Sequence, residues 1–154
     1  CIRDRAVTNP KNTVYSAKRF IGRRALFPSG VQSAMAELEE LSKAGTGMRV
    51  NVAMGYGGRE EVIDAVRAIG DKIAAGTLLP TDINETSFAR HLYMVGEPDL
   101  VIRTGGEHRT SNFLLWQSSY SEWYFIEKCW PELEQEDFAE AIASYSARER
   151  RFGK

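Results

Sequence analysis

The sequence predicts an α/β protein with a mostly parallel sheet surrounded by helices, and three observations carry that prediction. Short runs that alternate apolar and other residues, such as Arg49–Met54, are separated by longer segments whose apolar residues recur at three- and four-residue steps. Strand and helix signals thus alternate along the chain, the pattern of parallel strands joined by helical crossovers. Glycines stand where strands give way to the next segment, at Gly55–Gly58 and again at Gly105 and Gly106.

Taken in order, Cys1–Arg24 is basic and polar, with a turn at Asn9-Pro10-Lys11-Asn12. Its Lys11, Lys18, Arg19, Arg23 and Arg24 are expected to form a solvated charged face. Val31, Met35, Leu38 and Leu41 predict an amphipathic helix that ends at Gly45-Thr46-Gly47. Arg49–Met54 reads as a strand. The helix after it has the apolar stripe Val62, Val66, Ile69 and Ile73, with Gly76 at its C-cap. Pro80–Tyr93 is expected to hold a short helix opened by Thr81 or Asp82. A strand over Asp99–Arg103 follows, then a helix starting near Ser111 and a short strand at Trp123–Phe125. The last helix carries Phe138, Ile142 and Tyr145 and ends in Arg148-Glu149-Arg150-Arg151.

At 154 residues the chain suits one domain with a sizeable core. Its 43% apolar and 27% charged residues are ordinary for a globular protein. A formal net charge of -1 argues against nonspecific nucleic-acid binding. No apolar run approaches membrane-spanning length. The two cysteines, Cys1 and Cys129, and the two histidines, His91 and His108, are too scattered for a structural zinc site. Free thiols in a reducing cytoplasm are expected. The chain opens on Cys1 rather than Met, as expected of a piece of a longer protein.

The segment richest in chemistry is DLVIRTGGEHRTSNFLLWQSSYSEWYF, Asp99–Phe125. A strand ends in Arg103, two glycines follow, and Arg109, Ser111 and Asn112 come next. Ligands of open α/β sheets lie beyond the carboxyl ends of strands. Guanidinium forks grip phosphate oxygens bidentately, and a helix N-terminus at Ser111 would add backbone N–H donors. Singly, each of these residues is more often a surface ion pair or a plain turn. Together and in this order they point to a diphosphate. His91 reads as a surface or packing histidine, Arg59 in the Tyr56–Arg59 turn as a minor contributor, and Trp123–Phe125 as core or interface.

This segment resembles the signature of the cis-prenyltransferases, of the undecaprenyl diphosphate synthase type, whose pattern is IRTGGEHRxSNFLLWQxxYxExYF. Asn51–Val66 (NVAMGYGGREEVIDAV) resembles that family's strand and YGGR turn, and Trp130-Pro131 and RERRFG at 148–153 also fit. The likeness runs over residues 19–153. It implies an enzyme that condenses isopentenyl diphosphate with an allylic diphosphate, such as farnesyl diphosphate, to make a polyprenyl diphosphate, the lipid carrier of cell-wall synthesis. By the resemblance, Arg103, Arg109 and Ser111 would bind isopentenyl diphosphate, His108 and Glu107 would be catalytic, and Glu122 would help to hold Mg²⁺ across a homodimer interface. The resemblance further implies a cytoplasmic enzyme at the inner face of the membrane, touching it at most peripherally through its lipid product.

The family's HxxxMDGNGRWA-like stretch, with its metal-binding aspartate, is not in these residues. The fold is therefore expected to be incomplete, residues 25–154 forming the C-terminal part of a cis-prenyltransferase domain with little activity alone. The alternative expectation is a non-catalytic, dimer-forming scaffold that needs a partner. Residues 1–24, CIRDRAVTNPKNTVYSAKRFIGRR, resemble a short stretch of the seventy-kilodalton heat-shock chaperone ATPase domain, though none of that family's phosphate loops is present. A chaperone-derived ATP-binding module is the least favoured reading.

Overall fold

The computed structural model describes residues 17–148. The expected turn at Asn9–Asn12 and residues 149–153 of the family signature lie outside them. The chain divides into two units, residues 1–61 and 62–154.

In the first unit, β1 (Lys18–Ile21) and β2 (Val50–Ala53) pair in parallel, with Phe20 beside Val52. Between them run a single 3-10 turn, Arg24–Leu26, and helix α1, Ser29–Ser42. Strand β1 falls inside the stretch read from sequence as basic and polar. Its N–H groups on the side away from β2 are satisfied by α1. The Lys18 N–H donates to Ser42 Oγ at 3.0 Å, and the Phe20 N–H to Glu39 Oε1 at 2.7 Å. A bare strand edge is thereby covered by polar side chains of the crossover helix.

That docking shifts the face of α1. Met35 and Ser42 are buried, whereas Val31 and Leu41 of the expected stripe are exposed. Burial of Glu39 raises its carboxyl pKa. Hydrogen bonds from Arg24 and the Phe20 N–H, with the charges of Arg24 and Arg19, outweigh that, so the group ends below the usual carboxylate range.

Helix α2, Gly58–Ala74, begins at the end of the first unit and continues into the second. Its buried line is Glu61, Ala65 and Ile69, spaced by four; Val66 of the expected stripe is 52% exposed. Burying the Glu61 side chain demands a hydrogen-bond partner, and the Tyr56 hydroxyl donates to its Oε2. Gly76 ends the helix as expected, with φ 68° and its N–H on the Ile73 carbonyl.

In the second unit, a 3-10 turn at Pro80–Asp82 precedes the short helix α3, Glu85–Ala89. The opener is Asn84, not Thr81 or Asp82: Asn84 Oδ1 accepts from the Ser87 N–H at 3.0 Å, and Ser87 Oγ accepts from the Asn84 N–H at 2.8 Å. This reciprocal capping leaves the preceding residues to the Pro80 turn. Strands β3 (Leu100–Thr104) and β4 (Glu122–Ile126) pair in parallel, and α4 (Gln135–Ala147) packs on β4. In α4 the buried residue is Ala141, while Ile142 of the expected stripe is exposed.

The helix expected near Ser111 does not form. Ser111, Asn112 and Leu114 have φ of 48°, 62° and 45°, a left-handed conformation that a right-handed helix cannot contain. Residues 111–120 form a series of turns.

Candidate diphosphate site at the end of β3

Arg103 is the fourth residue of β3 and lies beside Phe125 of β4. Past Thr104 the chain hooks over the end of β4: the Gly105 N–H donates to the Lys128 carbonyl at 2.9 Å and the Gly106 N–H to the Ile126 carbonyl at 3.1 Å. Both glycines have positive φ, 88° and 69°. A Cβ on Gly106 would stand 2.6 Å from Glu127 Oε2. Lys128 is itself tied to α4, with Nζ 2.9 Å from Asp137 Oδ1. Its hydrogen bond with Asp137 raises the Lys128 pKa. The Glu134 N–H and Lys128 hold the Asp137 carboxyl below its ordinary value.

The hook returns the chain to Arg103. Arg103 Nη1 donates to the Arg109 carbonyl and to Ser111 Oγ, the latter at 3.0 Å. Arg103 therefore braces the loop that carries Arg109 and Ser111, and the left-handed backbone at Ser111 gives the curvature that brings the hydroxyl back. The Arg109 guanidinium meets Glu107, Nη1 to Oε2 2.9 Å. His108 stacks on Phe125 with ring centroids 4.5 Å apart and planes 18° apart, and its Nε2 is 4.0 Å from Glu127 Oε1.

Five of the six expected site residues thus come together: Arg103, Glu107, His108, Arg109 and Ser111. Glu122 does not join them. It opens β4 beside Leu100, about 10 Å back along the strands from Arg103. Its carboxylate accepts from Arg148 Nη1 at 2.6 Å. Sequence reasoning missed Glu127, whose carboxylate lies over Gly106 and beside His108; nothing in its local pattern marks it. The donors expected from a helix N-terminus at Ser111 are not supplied, since no helix starts there. His91 is a packing residue, its Nδ1 2.9 Å from the Ser87 carbonyl.

Among the described residues no three His, Cys, Asp or Glu side chains group to hold a metal ion, and no helix is long and apolar enough to cross a membrane. The described carboxylates therefore do not by themselves form a divalent-cation cage.

Residues 4–153 match the family model described as "Putative undecaprenyl diphosphate synthase". The chain belongs to this family. The match runs through residues 4–24, so the segment set beside the chaperones lies within the prenyltransferase family's own span. The chain is 50% identical over 142 residues to the isoprenyl transferase of Thermus thermophilus, covering 88% of this chain and 54% of that protein. It is 43% identical over 137 residues to the farnesyl-diphosphate-specific undecaprenyl diphosphate synthase of Escherichia coli K12, covering 88% of this chain and again 54% of the relative. The fold resembles lavandulyl diphosphate synthase from Lavandula x intermedia, solved with dimethylallyl diphosphate, with TM-score 0.87 and 39% identity. That likeness covers 96% of this chain and 63% of the other. The chain thus spans about half the length of the curated relatives it matches. The parallel strand pairs flanked by helices, matched by that solved structure, give the α/β fold expected from sequence.

Proposed function

We propose that this chain supplies the isopentenyl diphosphate site of a cis-prenyltransferase that elongates an allylic diphosphate, such as farnesyl diphosphate, into a polyprenyl diphosphate. The observation that carries the reading is the convergence of Arg103 on the Arg109 carbonyl and the Ser111 hydroxyl at the carboxyl end of β3. In the reaction the allylic carbon loses its diphosphate. The π electrons of isopentenyl diphosphate form the new carbon–carbon bond, and a proton leaves the adjacent carbon. Arg109 and the outward face of the Arg103 guanidinium would hold the diphosphate of isopentenyl diphosphate. Ser111 would fix its orientation. Preorganised cationic donors stabilise such charge without reorganising, and a fixed substrate removes much of the entropic cost of a bimolecular step.

His108, stacked on Phe125, would support this network rather than act as a nucleophile. The family's divalent cation, proposed to be Mg²⁺, supplies charge neutralisation when bound. Glu122 would be one donor to it, reached across a homodimer interface, and further donors must come from outside the described residues. The setting proposed is cytoplasmic, with any membrane contact peripheral and through the lipid product.

The test is calorimetric titration of isopentenyl diphosphate into the wild-type and Arg109→Ala chains. The reading predicts binding that the substitution removes. Equal binding by both would refute it.

A further inference from the structure

The loop after β3 holds its two guanidinium groups in different ways. Arg103 donates inward, to a backbone carbonyl and a hydroxyl of its own loop. Arg109 instead meets a full negative charge: Nη1 is 2.9 Å from Glu107 Oε2, the side chains 64% and 50% exposed. A carboxylate offers a guanidinium the same thing a phosphate offers, two anionic oxygens matched to a planar fork. Glu107 therefore takes Nη1, one of the Arg109 donors that a phosphate would use. Resting on the diphosphate reading of this site, we propose that Glu107 is an internal counter-anion of Arg109, which a diphosphate must displace in order to bind.

An interaction present in the free protein and lost in the complex lowers affinity by its own free energy. Glu107 thus acts through Arg109, as a positioning residue rather than a catalytic one. It keeps the guanidinium ordered at the mouth of the loop while the site is empty, and by re-forming the pair it favours departure of the anion. The pair is solvent-exposed, so its removal should tighten binding by up to about fivefold, the equivalent of about 1 kcal/mol.

The probe is inorganic diphosphate, titrated by calorimetry into the full chain as wild type, Glu107→Gln, Glu107→Asp and Arg109→Ala, and into the Glu107→Gln/Arg109→Ala double variant. Binding should tighten a few-fold in Glu107→Gln and stay near wild type in Glu107→Asp. In the Arg109→Ala background Glu107→Gln should bring no gain, an outcome that a merely structural role for Glu107 does not produce. Equal or weaker binding by Glu107→Gln, while Arg109→Ala still weakens it, overturns this inference and leaves the site reading standing. A gain that persists without Arg109 overturns it too. No binding by any of the proteins overturns the site reading, and the counter-anion role with it.

Discussion

Arg103 Nη1 lies 3.0 Å from the hydroxyl of Ser111, eight residues further along the chain. That bond and the one to the Arg109 carbonyl close the loop into a ring at the end of β3, so one guanidinium shapes the proposed site. A charge-assisted hydrogen bond contributes about 1.5–3 kcal/mol; both bonds leave from Nη1, and a lysine ammonium that replaced it would keep no second nitrogen for the substrate phosphate. Arg103→Lys should therefore weaken isopentenyl diphosphate binding by at least about tenfold despite keeping the charge. Calorimetry that finds the lysine variant equal to wild type would show that charge alone suffices.

Two glycines should respond differently to alanine. Gly22 has φ 113°, and a Cβ there would stand 2.2 Å from the Met54 carbonyl oxygen, on backbone held by the Met54 N–H to Ile21 carbonyl bond. Gly106 has φ 69°, and the atom its Cβ would meet is the free end of the Glu127 side chain, which can swing away. Gly22→Ala should cost at least about 2 kcal/mol and Gly106→Ala about 1 kcal/mol. Urea midpoints at constant slope measure both, and the reverse order would contradict the geometry.

Glu39 predicts a pH dependence. Its carboxyl pKa is lowered in the folded chain from the ordinary value of 4.5. A depressed folded pKa means stability that is fully present above the unfolded value and is lost as pH falls through the folded one. Wild type should lose more stability than Glu39→Gln between pH 6 and about pH 3. Denaturant unfolding at the two pH values measures the difference; parallel losses would remove Glu39 from the account.

Much of this was legible in the sequence, and the misses share a cause. Strands β2, β3 and β4 and three of the helices lie where their periodicity places them, because each buries at least part of an apolar face. The apolar stripes were misjudged where small or polar residues take the inside. In α1 the helix turns toward β1 so that Glu39 and Ser42 can satisfy strand N–H groups. In α2 the buried line is Glu61, Ala65 and Ile69, with the Glu61 side chain bonded by the Tyr56 hydroxyl. Strand β1 was hidden by its lysine and arginine, whose charged ends mask a strand anchored by Ile21. The helix at Ser111 fails because three non-glycine residues adopt positive φ, and at the first of them the Arg103 guanidinium holds the hydroxyl.

The site was legible as a set of residue types but not as a geometry. Arginines, glycines and a serine after a strand announce an anion site. That Arg103 points into its own loop while Arg109 pairs with Glu107 depends on the hook over β4, where Gly105 and Gly106 bind the Lys128 and Ile126 carbonyls. Those acceptors lie about twenty residues downstream, beyond the reach of spacing rules.

The most direct test of the central claim is a double-mutant cycle on isopentenyl diphosphate binding with Arg103→Ala, Ser111→Ala and both together. If Arg103 and Ser111 act as one braced unit, each single change weakens binding and the double variant is little worse than Arg103→Ala alone. Binding by Arg103→Ala at wild-type affinity, or losses that add in full, would contradict it.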